Sequence, residues 1–153
     1  MDMSWLGQVA FALPIGLGAI GSSLGIGAAG SAAAGAWAKE AKAGKGMNFK
    51  YIILTGMPLS QTIYGLLVSF LIIKPQFTDA AYMALNGGAL LCIGLAAGLG
   101  ELFSAWMQGV IGAAGARAMC EADGKPFANT MIAMGIAETV GIFSFVFMFM
   151  LKP

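Results

Sequence analysis

Eight basic and seven acidic side chains are the only charged side chains on this 153-residue chain, and most of them lie in short clusters. Between these clusters the chain is almost free of charge over four long stretches: residues 5–38, 50–74, 82–118 and 127–151. A helix needs about 20 apolar residues to cross the hydrocarbon core of a bilayer. Each stretch therefore predicts one transmembrane helix, and we number these helices 1 to 4. An alternative for residues 80–90 is an interfacial segment.

The composition agrees with an all-α integral membrane protein and excludes several other classes. Hydrophobic residues make up 59% of the chain and charged residues 10%, whereas about 25% charged is usual for soluble domains. A net charge of +1 excludes an electrostatic nucleic-acid binder, so we expect the lipid bilayer as a partner and no nucleic acid. The chain has no histidine, and its two cysteines form no metal-binding or disulfide framework. It contains no nucleophile–base pair or phosphate-binding loop, so we expect it not to be an enzyme on its own.

The basic side chains indicate how the helices are oriented. Four lysines lie in or beside the connector after helix 1: Lys39, Lys42, Lys45 and Lys50. Arg117 and Lys125 flank the connector after helix 3, whereas the connector after helix 2 is nearly neutral. The positive-inside rule then places the first and third connectors in the cytoplasm and both termini outside it. Residues 1–3 contain no basic side chain, so we expect helix 1 to be mature structure rather than a cleaved signal peptide.

The sequence repeats itself in a way that predicts an internal duplication. The pentapeptide Ile-Gly-Ala-Ala-Gly occurs at residues 26–30 and again at 111–115. Further along, Gln61 in Ser-Gln-Thr-Ile corresponds to Glu138 in Ala-Glu-Thr-Val, and each half closes on Lys-Pro. Matches in the same order predict two tandem helical hairpins within one integral domain: residues 1–75 and 76–153. Helices 1 and 3 are rich in glycine, which favours close packing in an oligomer over a monomeric bundle.

Glu138 lies in the middle of helix 4, among apolar neighbours. A charge at the centre of a bilayer costs about 2.5–3.5 kcal/mol on insertion scales, so an intramembrane acid indicates a functional site. The alternative is a protonated glutamate that forms a hydrogen bond between helices. Met57, Ser60, Gln61 and Tyr64 are spaced by three and four residues, so they share one face of helix 2.

Three polar side chains are predicted to lie at one depth in the membrane. Gln61, Gln108 and Glu138 are each about eleven residues from a cytoplasmic helix end, which is about 15–18 Å. Each of them alone is explained by an interhelical hydrogen bond, but their convergence with Ser60 predicts a cation site. Oxygen ligands suit a hard cation, and neutral oxygens can replace its hydration shell. We therefore favour Na⁺ over a proton as the ion, because a proton carrier has less use for the neutral ligands.

The motif Met-Pro-Leu-Ser-Gln-Thr-Ile-Tyr at residues 57–64, with Gln108 and Glu138, carries a resemblance that extends over essentially the whole chain. The chain resembles the duplicated four-helix proteolipid, called c or K, of V-type and A/V-type rotary ATPases, in its sodium-transporting branch. The resemblance implies a homo-oligomeric rotor ring, with helices 1 and 3 inside and helices 2 and 4 outside. It also implies a prokaryotic cell membrane as the location.

The resemblance assigns a role to each residue of the predicted site. The implied Na⁺ ligands are the carboxylate of Glu138, the side chains of Ser60, Gln61 and Gln108, and the backbone carbonyl of Met57. Tyr64 would donate a hydrogen bond to the glutamate and lock the site. An a/I-type stator subunit would supply an arginine that meets Glu138, and a central-stalk subunit would bind on the cytoplasmic side. Rotation of the ring would couple ion flow to ATP hydrolysis or synthesis.

Glu101 departs from the family pattern, because we expect a small or apolar residue at that position of helix 3. It precedes Gln108 by seven positions and so lies on nearly the same helix face, about 10 Å further from the cytoplasm. We expect a buried neutral acid, with a hydrogen bond to Ser69 or Ser144, or an acid that faces a polar ring interior, and keep a second ion-binding carboxylate as the alternative. A further alternative for the whole chain is a structural or channel-forming protein with four spans, which would not need the convergent polar residues.

Overall fold

A computed structural model describes residues 4–153, and it contains four long helices. We label them in chain order: α1 (Ser4–Lys42), α2 (Lys50–Thr78), α3 (Ala80–Glu121) and α4 (Phe127–Leu151). Each is long and apolar enough to cross a membrane, and there is no strand within residues 4–153. This confirms the predicted all-α membrane fold with four spans. Residues 1–3, on which the expectation of no cleaved signal peptide rests, lie outside the described part of the chain.

The helix bounds follow the charge pattern closely. Residues 80–90 form no separate interfacial segment, because α3 is continuous from Ala80 to Glu121. Asp79 fixes the start of α3, since its side chain accepts a hydrogen bond from the backbone N–H of Tyr82 at 2.9 Å. Such a cap satisfies one of the free N–H groups in the first turn of a helix. Residues 80–90 are thus the first part of α3 and not a separate element.

Helices α1 and α3 pack backbone to backbone along most of their length. A Cβ atom added to Gly109 would overlap the backbone of Gly25, and one added to Gly21 would lie 2.5 Å from Cα of Leu102. Hydrophobic surface gives no driving force between helices in lipid, so small residues that allow close van der Waals contact take its place. The glycines of the sequence thus explain why these two helices form the centre of the bundle.

Helix α2 is irregular on both sides of the predicted site. The helix tightens to a 3₁₀ turn at Met57–Leu59, around Pro58, and widens to a π-helical stretch at Val68–Ile73. Proline has no N–H for the helix ladder, which accounts for the first irregularity. The carbonyl of Pro58 accepts a 2.6 Å hydrogen bond from the hydroxyl of Ser22 on α1. Helix α2 is thus held to α1 beside the residues that the sequence singles out.

At the end of the bundle where α1 joins α2, several hydrogen bonds converge on Glu40. The carboxylate of Glu40 accepts hydrogen bonds from the hydroxyl of Tyr51 at 2.7 Å and from the backbone N–H of Asn48 at 2.9 Å. Glu40 is buried, and so is Tyr51. Nearby, Lys45 and Asp123 form an exposed ion pair between the first and third connectors. The two connectors thus lie at the same end of the molecule.

Candidate ion-binding site

The structure places Glu138 between two donors that come from two other helices. The hydroxyl of Tyr64 on α2 donates to Oε1 at 3.1 Å, and Nε2 of Gln108 on α3 donates to Oε2 at 3.4 Å. The Gln108 amide also donates to the backbone carbonyl of Met134, at 3.2 Å. Glu138 itself is half-buried, whereas Gln108 is fully buried. The carboxylate thus lies at the surface of the bundle with its polar partners behind it.

Gln61 links this carboxylate cluster to the rest of α2. Its Nε2 atom donates to Oε1 of Gln108 at 3.3 Å and to Oγ of Ser104 at 3.0 Å. Its Oε1 atom accepts from the hydroxyl of Ser60 at 3.0 Å, and Ser60 also donates to the carbonyl of Met57 at 3.1 Å. All the residues that the sequence predicted at this depth therefore belong to one hydrogen-bonded cluster.

Ser104 also belongs to this cluster, and the sequence interpretation missed it. It is buried, it accepts from Gln61, and it donates to the carbonyl of Ala137 at 2.8 Å. The signal was its position four residues before Gln108, one helical turn along the same face. A single serine is common in transmembrane helices and indicates little by itself. Its spacing to Gln108 is the feature that predicts a place in the cluster.

The cluster offers oxygen atoms and neutral donors, but no positive charge. Each of the eight basic side chains lies near a helix end or in a connector, so none accompanies Glu138 at mid-helix. An ionised carboxylate needs pairing when it is removed from water. Several acceptor oxygens lie within this cluster, on Glu138, Gln61, Ser60 and the Met57 backbone. Such a set of groups suits a small hard cation.

Glu101 is buried close to the cluster, but not with the partners that we expected. Ser69 donates to the carbonyls of Phe11 and Gly65, and Ser144 donates to the carbonyl of Ala97. Neither hydroxyl reaches Glu101, and neither of its carboxylate oxygens has a hydrogen-bond partner. The expected hydrogen bond to Ser69 or Ser144 is therefore wrong, because both hydroxyls are engaged by backbone carbonyls.

A family model described as the C subunit of ATP synthase matches two segments of the chain, residues 9–72 and 91–151. The chain belongs to this ATP synthase family. The double match confirms the duplication, since each segment covers one helical hairpin. The boundary between residues 75 and 76 stays a prediction. Membership of the family also confirms a non-catalytic membrane protein that crosses the bilayer several times.

A curated relative supports the same family over nearly the whole of this chain. The A-type ATP synthase subunit K of Methanocaldococcus jannaschii is 32% identical over 144 residues. The match covers 94% of this chain and 60% of the relative, so the chain spans about three-fifths of that protein's length. The likeness to a K-type subunit agrees with the resemblance seen in the sequence.

Proposed function

We propose that the chain is the ion-carrying subunit of the rotor ring of an A/V-type rotary ATPase, and that its cargo is Na⁺. Copies of the chain form the ring with α1 and α3 inside and with α2 and α4 outside. The first and third connectors face the cytoplasm, where a central-stalk subunit binds, and both termini face the opposite side. Membership of the ATP synthase family supports the ring, and the polar cluster around Glu138 supports the cargo.

One observation carries the choice of Na⁺. Glu138 is joined through Gln108 and Gln61 to two further oxygen groups on α2, the Ser60 hydroxyl and the Met57 carbonyl. A proton needs the carboxylate alone, whereas a sodium ion needs several oxygens in place of its water shell. In the proposed site, these side chains and the Met57 carbonyl hold the ion, and Tyr64 keeps the carboxylate turned toward it.

The position of Glu138 explains how cargo is loaded and released. The side chain is half-buried on α4, and Ile142, one turn further along the same helix face, is 37% exposed, so we place the carboxylate on the lipid-facing side of the bundle. A bound cation neutralises the carboxylate and lets this face move through lipid, which a bare charge does not allow. An arginine of the a/I-type stator subunit then displaces the cation, and the ring turns by one position. Rotation in either direction couples ion flow to ATP synthesis or hydrolysis.

Carbodiimide labelling of Glu138 in the purified ring tests residue and ion together. The reagent modifies a protonated carboxyl, so bound Na⁺ protects Glu138. We expect added NaCl to slow labelling strongly at constant pH, with choline chloride at equal ionic strength as the control. Ser60→Ala should raise the Na⁺ concentration that is needed to protect Glu138 from labelling. The matched control is Thr139→Ala, which removes a hydroxyl that donates only to the carbonyl of Ile136.

Two outcomes would contradict the proposal in different ways. If labelling follows pH and ignores Na⁺, the cargo is a proton and the assignment of Ser60 and the glutamines as metal ligands fails. If Glu138 is not labelled and its replacement leaves ion-coupled ATPase activity intact, the carrier role itself fails. A structural or channel-forming protein with four spans would give that second result.

A further inference from the structure

Ser104 on α3 forms hydrogen bonds to the two helices that flank it at the level of the candidate site. Its hydroxyl donates to the carbonyl of Ala137 on α4 at 2.8 Å and accepts from Nε2 of Gln61 on α2 at 3.0 Å. Ala137 directly precedes Glu138 in the chain. Ser104 is buried, and so is Gln61, so the hydrogen bond between them is shielded from water. The serine therefore joins the backbone beside the acid to a side chain that the proposed site uses.

The available donors fix the direction of these two hydrogen bonds. A serine hydroxyl has one proton to donate and two lone pairs that accept. The carbonyl of Ala137 cannot donate, so the proton of Ser104 points to it and the lone pairs are left for Gln61. The Gln61 amide must then turn its nitrogen, and not its oxygen, toward Ser104. Its oxygen Oε1 therefore faces away from Ser104 and accepts from the hydroxyl of Ser60 at 3.0 Å.

Gln108 supports the same orientation of the Gln61 amide. Its Nε2 atom donates to the carbonyl of Met134 at 3.2 Å and to the carboxylate of Glu138 at 3.4 Å. Its oxygen is thus left to accept from Nε2 of Gln61, at 3.3 Å. Both protons of the Gln61 amide are therefore bound. The hydrogen bond to Ser104 is the shorter of the two.

Gly141 allows α4 to come close to this pair of side chains. A Cβ atom added to Gly141 would lie 3.2 Å from Oγ of Ser104 and 3.1 Å from Cγ of Gln61. Both distances are shorter than ordinary van der Waals contact. The two side chains are thus packed closely against α4, which leaves the Gln61 amide little space for another position.

We propose that Ser104 is a positioning residue of the cation site, which turns the oxygen of Gln61 toward the bound ion. The inference rests on the proposed function, because it specifies how one of the ligands named there is held in place. An amide that is free to rotate presents its nitrogen, which repels a cation, in some of its orientations. Acceptors on that nitrogen remove those orientations, so the oxygen is already in place before the ion arrives. Ser104 acts through Gln61 and is not itself a ligand.

Ser104→Ala in the purified ring tests this role. The loss of one hydrogen bond predicts that about five times more Na⁺ is needed for half-maximal protection of Glu138 from carbodiimide. The pH dependence of labelling without Na⁺ should not change, because Ser104 donates to the Ala137 carbonyl and not to Glu138. If this variant does not assemble, Ser104→Cys takes its place, with a change in the same direction, since a thiol is a weak acceptor.

Ser144→Ala is the matched control. Ser144 on α4 donates to the carbonyl of Ala97 on α3 at 3.2 Å, so this variant also removes a hydroxyl–carbonyl hydrogen bond between the same two helices. That hydrogen bond does not involve Gln61, so protection by Na⁺ should equal that of the wild type.

A second test repeats Ser104→Ala in a Gln61→Leu background, where the amide is absent. Because Ser104 acts through the amide, the substitution should cause no further change in Na⁺ protection there, whereas a general effect on helix packing would still add to it. If Gln61→Leu alone abolishes protection, the pH dependence of labelling in Ser104→Ala decides. An unchanged dependence supports the positioning role, and a shifted one shows that Ser104 acts on Glu138 through the packing of α4.

The proposal is overturned if Ser104→Ala is protected by Na⁺ like the wild type, or if Ser144→Ala weakens protection equally. Failure of the proposed function gives a different result. A wild-type ring that Na⁺ does not protect removes the sodium assignment and this inference together. A wild-type ring that Na⁺ protects, with no effect of Ser104→Ala, removes this inference alone.

Discussion

Two tyrosine–glutamate hydrogen bonds join α2 to its neighbours, and they differ in strength and exposure. Tyr51 donates to Glu40 at 2.7 Å, and the backbone N–H of Asn48 donates to the same carboxylate at 2.9 Å. Tyr64 donates to Glu138 at 3.1 Å, and Gln108 donates to it at the longer distance of 3.4 Å. Hydrogen bonds to charged groups are strongest when they are short.

The difference indicates two roles for the same pair of residue types. The carboxylate of Glu40 is buried, with short hydrogen bonds to both oxygens, which suits a permanent contact between α1, α2 and their connector. Glu138 is half-buried and held by longer hydrogen bonds, so its carboxylate can exchange partners at lower cost. In the proposed function, the first pair maintains the structure, and the second pair holds the carboxylate that binds and releases a cation.

The largest expected effect is that of Glu138→Gln. The amide cannot carry the negative charge that attracts a cation, so we expect sodium binding and ion-coupled ATPase activity to fall to background. The ring should still assemble, because the neutral side chain is easier to place in the membrane than the acid. Sodium transport in reconstituted vesicles, with gel analysis of the assembled ring, measures both. Retained transport would show that Glu138 is not the carrier.

Tyr64→Phe should have a smaller effect on the same property. Without the hydroxyl, the Glu138 side chain loses the contact that orders it, and ordering a side chain is worth about 1 kcal/mol. That free energy corresponds to about a fivefold change in equilibrium. We therefore expect about five times more Na⁺ to be needed for half-maximal protection of Glu138 from carbodiimide. Equal protection in the variant and the wild type would show that Tyr64 does not help to retain the bound Na⁺.

Tyr51→Phe should change stability and leave ion binding alone. The variant leaves one buried oxygen of Glu40 without its donor, and the loss of a hydrogen bond to a charged group costs about 1.5–3 kcal/mol. We expect a lower melting temperature of the purified protein in detergent, with the sodium protection of Glu138 unchanged. The two tyrosines would have the same role if Tyr51→Phe also weakened sodium protection.

The smallest effect belongs to the exposed ion pair of Lys45 and Asp123. The Lys45 ammonium lowers the pKa of Asp123 below its ordinary value of 3.8, and the Asp123 carboxylate raises the pKa of Lys45 above 10.5. The pair therefore stabilises the fold between these values, and this stability is lost as the pH falls through the lowered pKa of Asp123. Asp123→Asn should leave the melting temperature nearly unchanged at neutral pH. The variant should lose only the small decrease in melting temperature that low pH or added salt causes in the wild type.

Much of the architecture could be predicted because charge and depth in a membrane are tightly linked. The absence of charge predicted the four spans, and helical spacing predicted that Gln61, Gln108 and Glu138 would lie at one level. The sequence did not predict that α2 would form a 3₁₀ turn at Met57–Leu59 and a π-helical stretch at Val68–Ile73. Pro58 alone indicates where the helix ladder is interrupted, but packing against α1 decides which hydrogen bonds replace it.

The partners of Glu101 could not be predicted from depth alone. Ser69 and Ser144 lie at a similar level, but a serine hydroxyl in a helix readily donates to a carbonyl of its own or a neighbouring helix. That is what both side chains do, so Glu101 has neither of them as a partner. Ser104 was missed because its partners, the Gln61 amide and the Ala137 carbonyl, come from two other helices.

The contact between Gly25 and Gly109 has a geometric consequence for the proposed rotor. In a closed circle of identical units, the width of each unit at the inner radius fixes how many units fit. Where α1 and α3 touch through glycines, that width is at its minimum, and a single added methyl group would force the two backbones apart. These glycines would therefore help to set how many copies close the circle, and with it the number of ions exchanged per revolution.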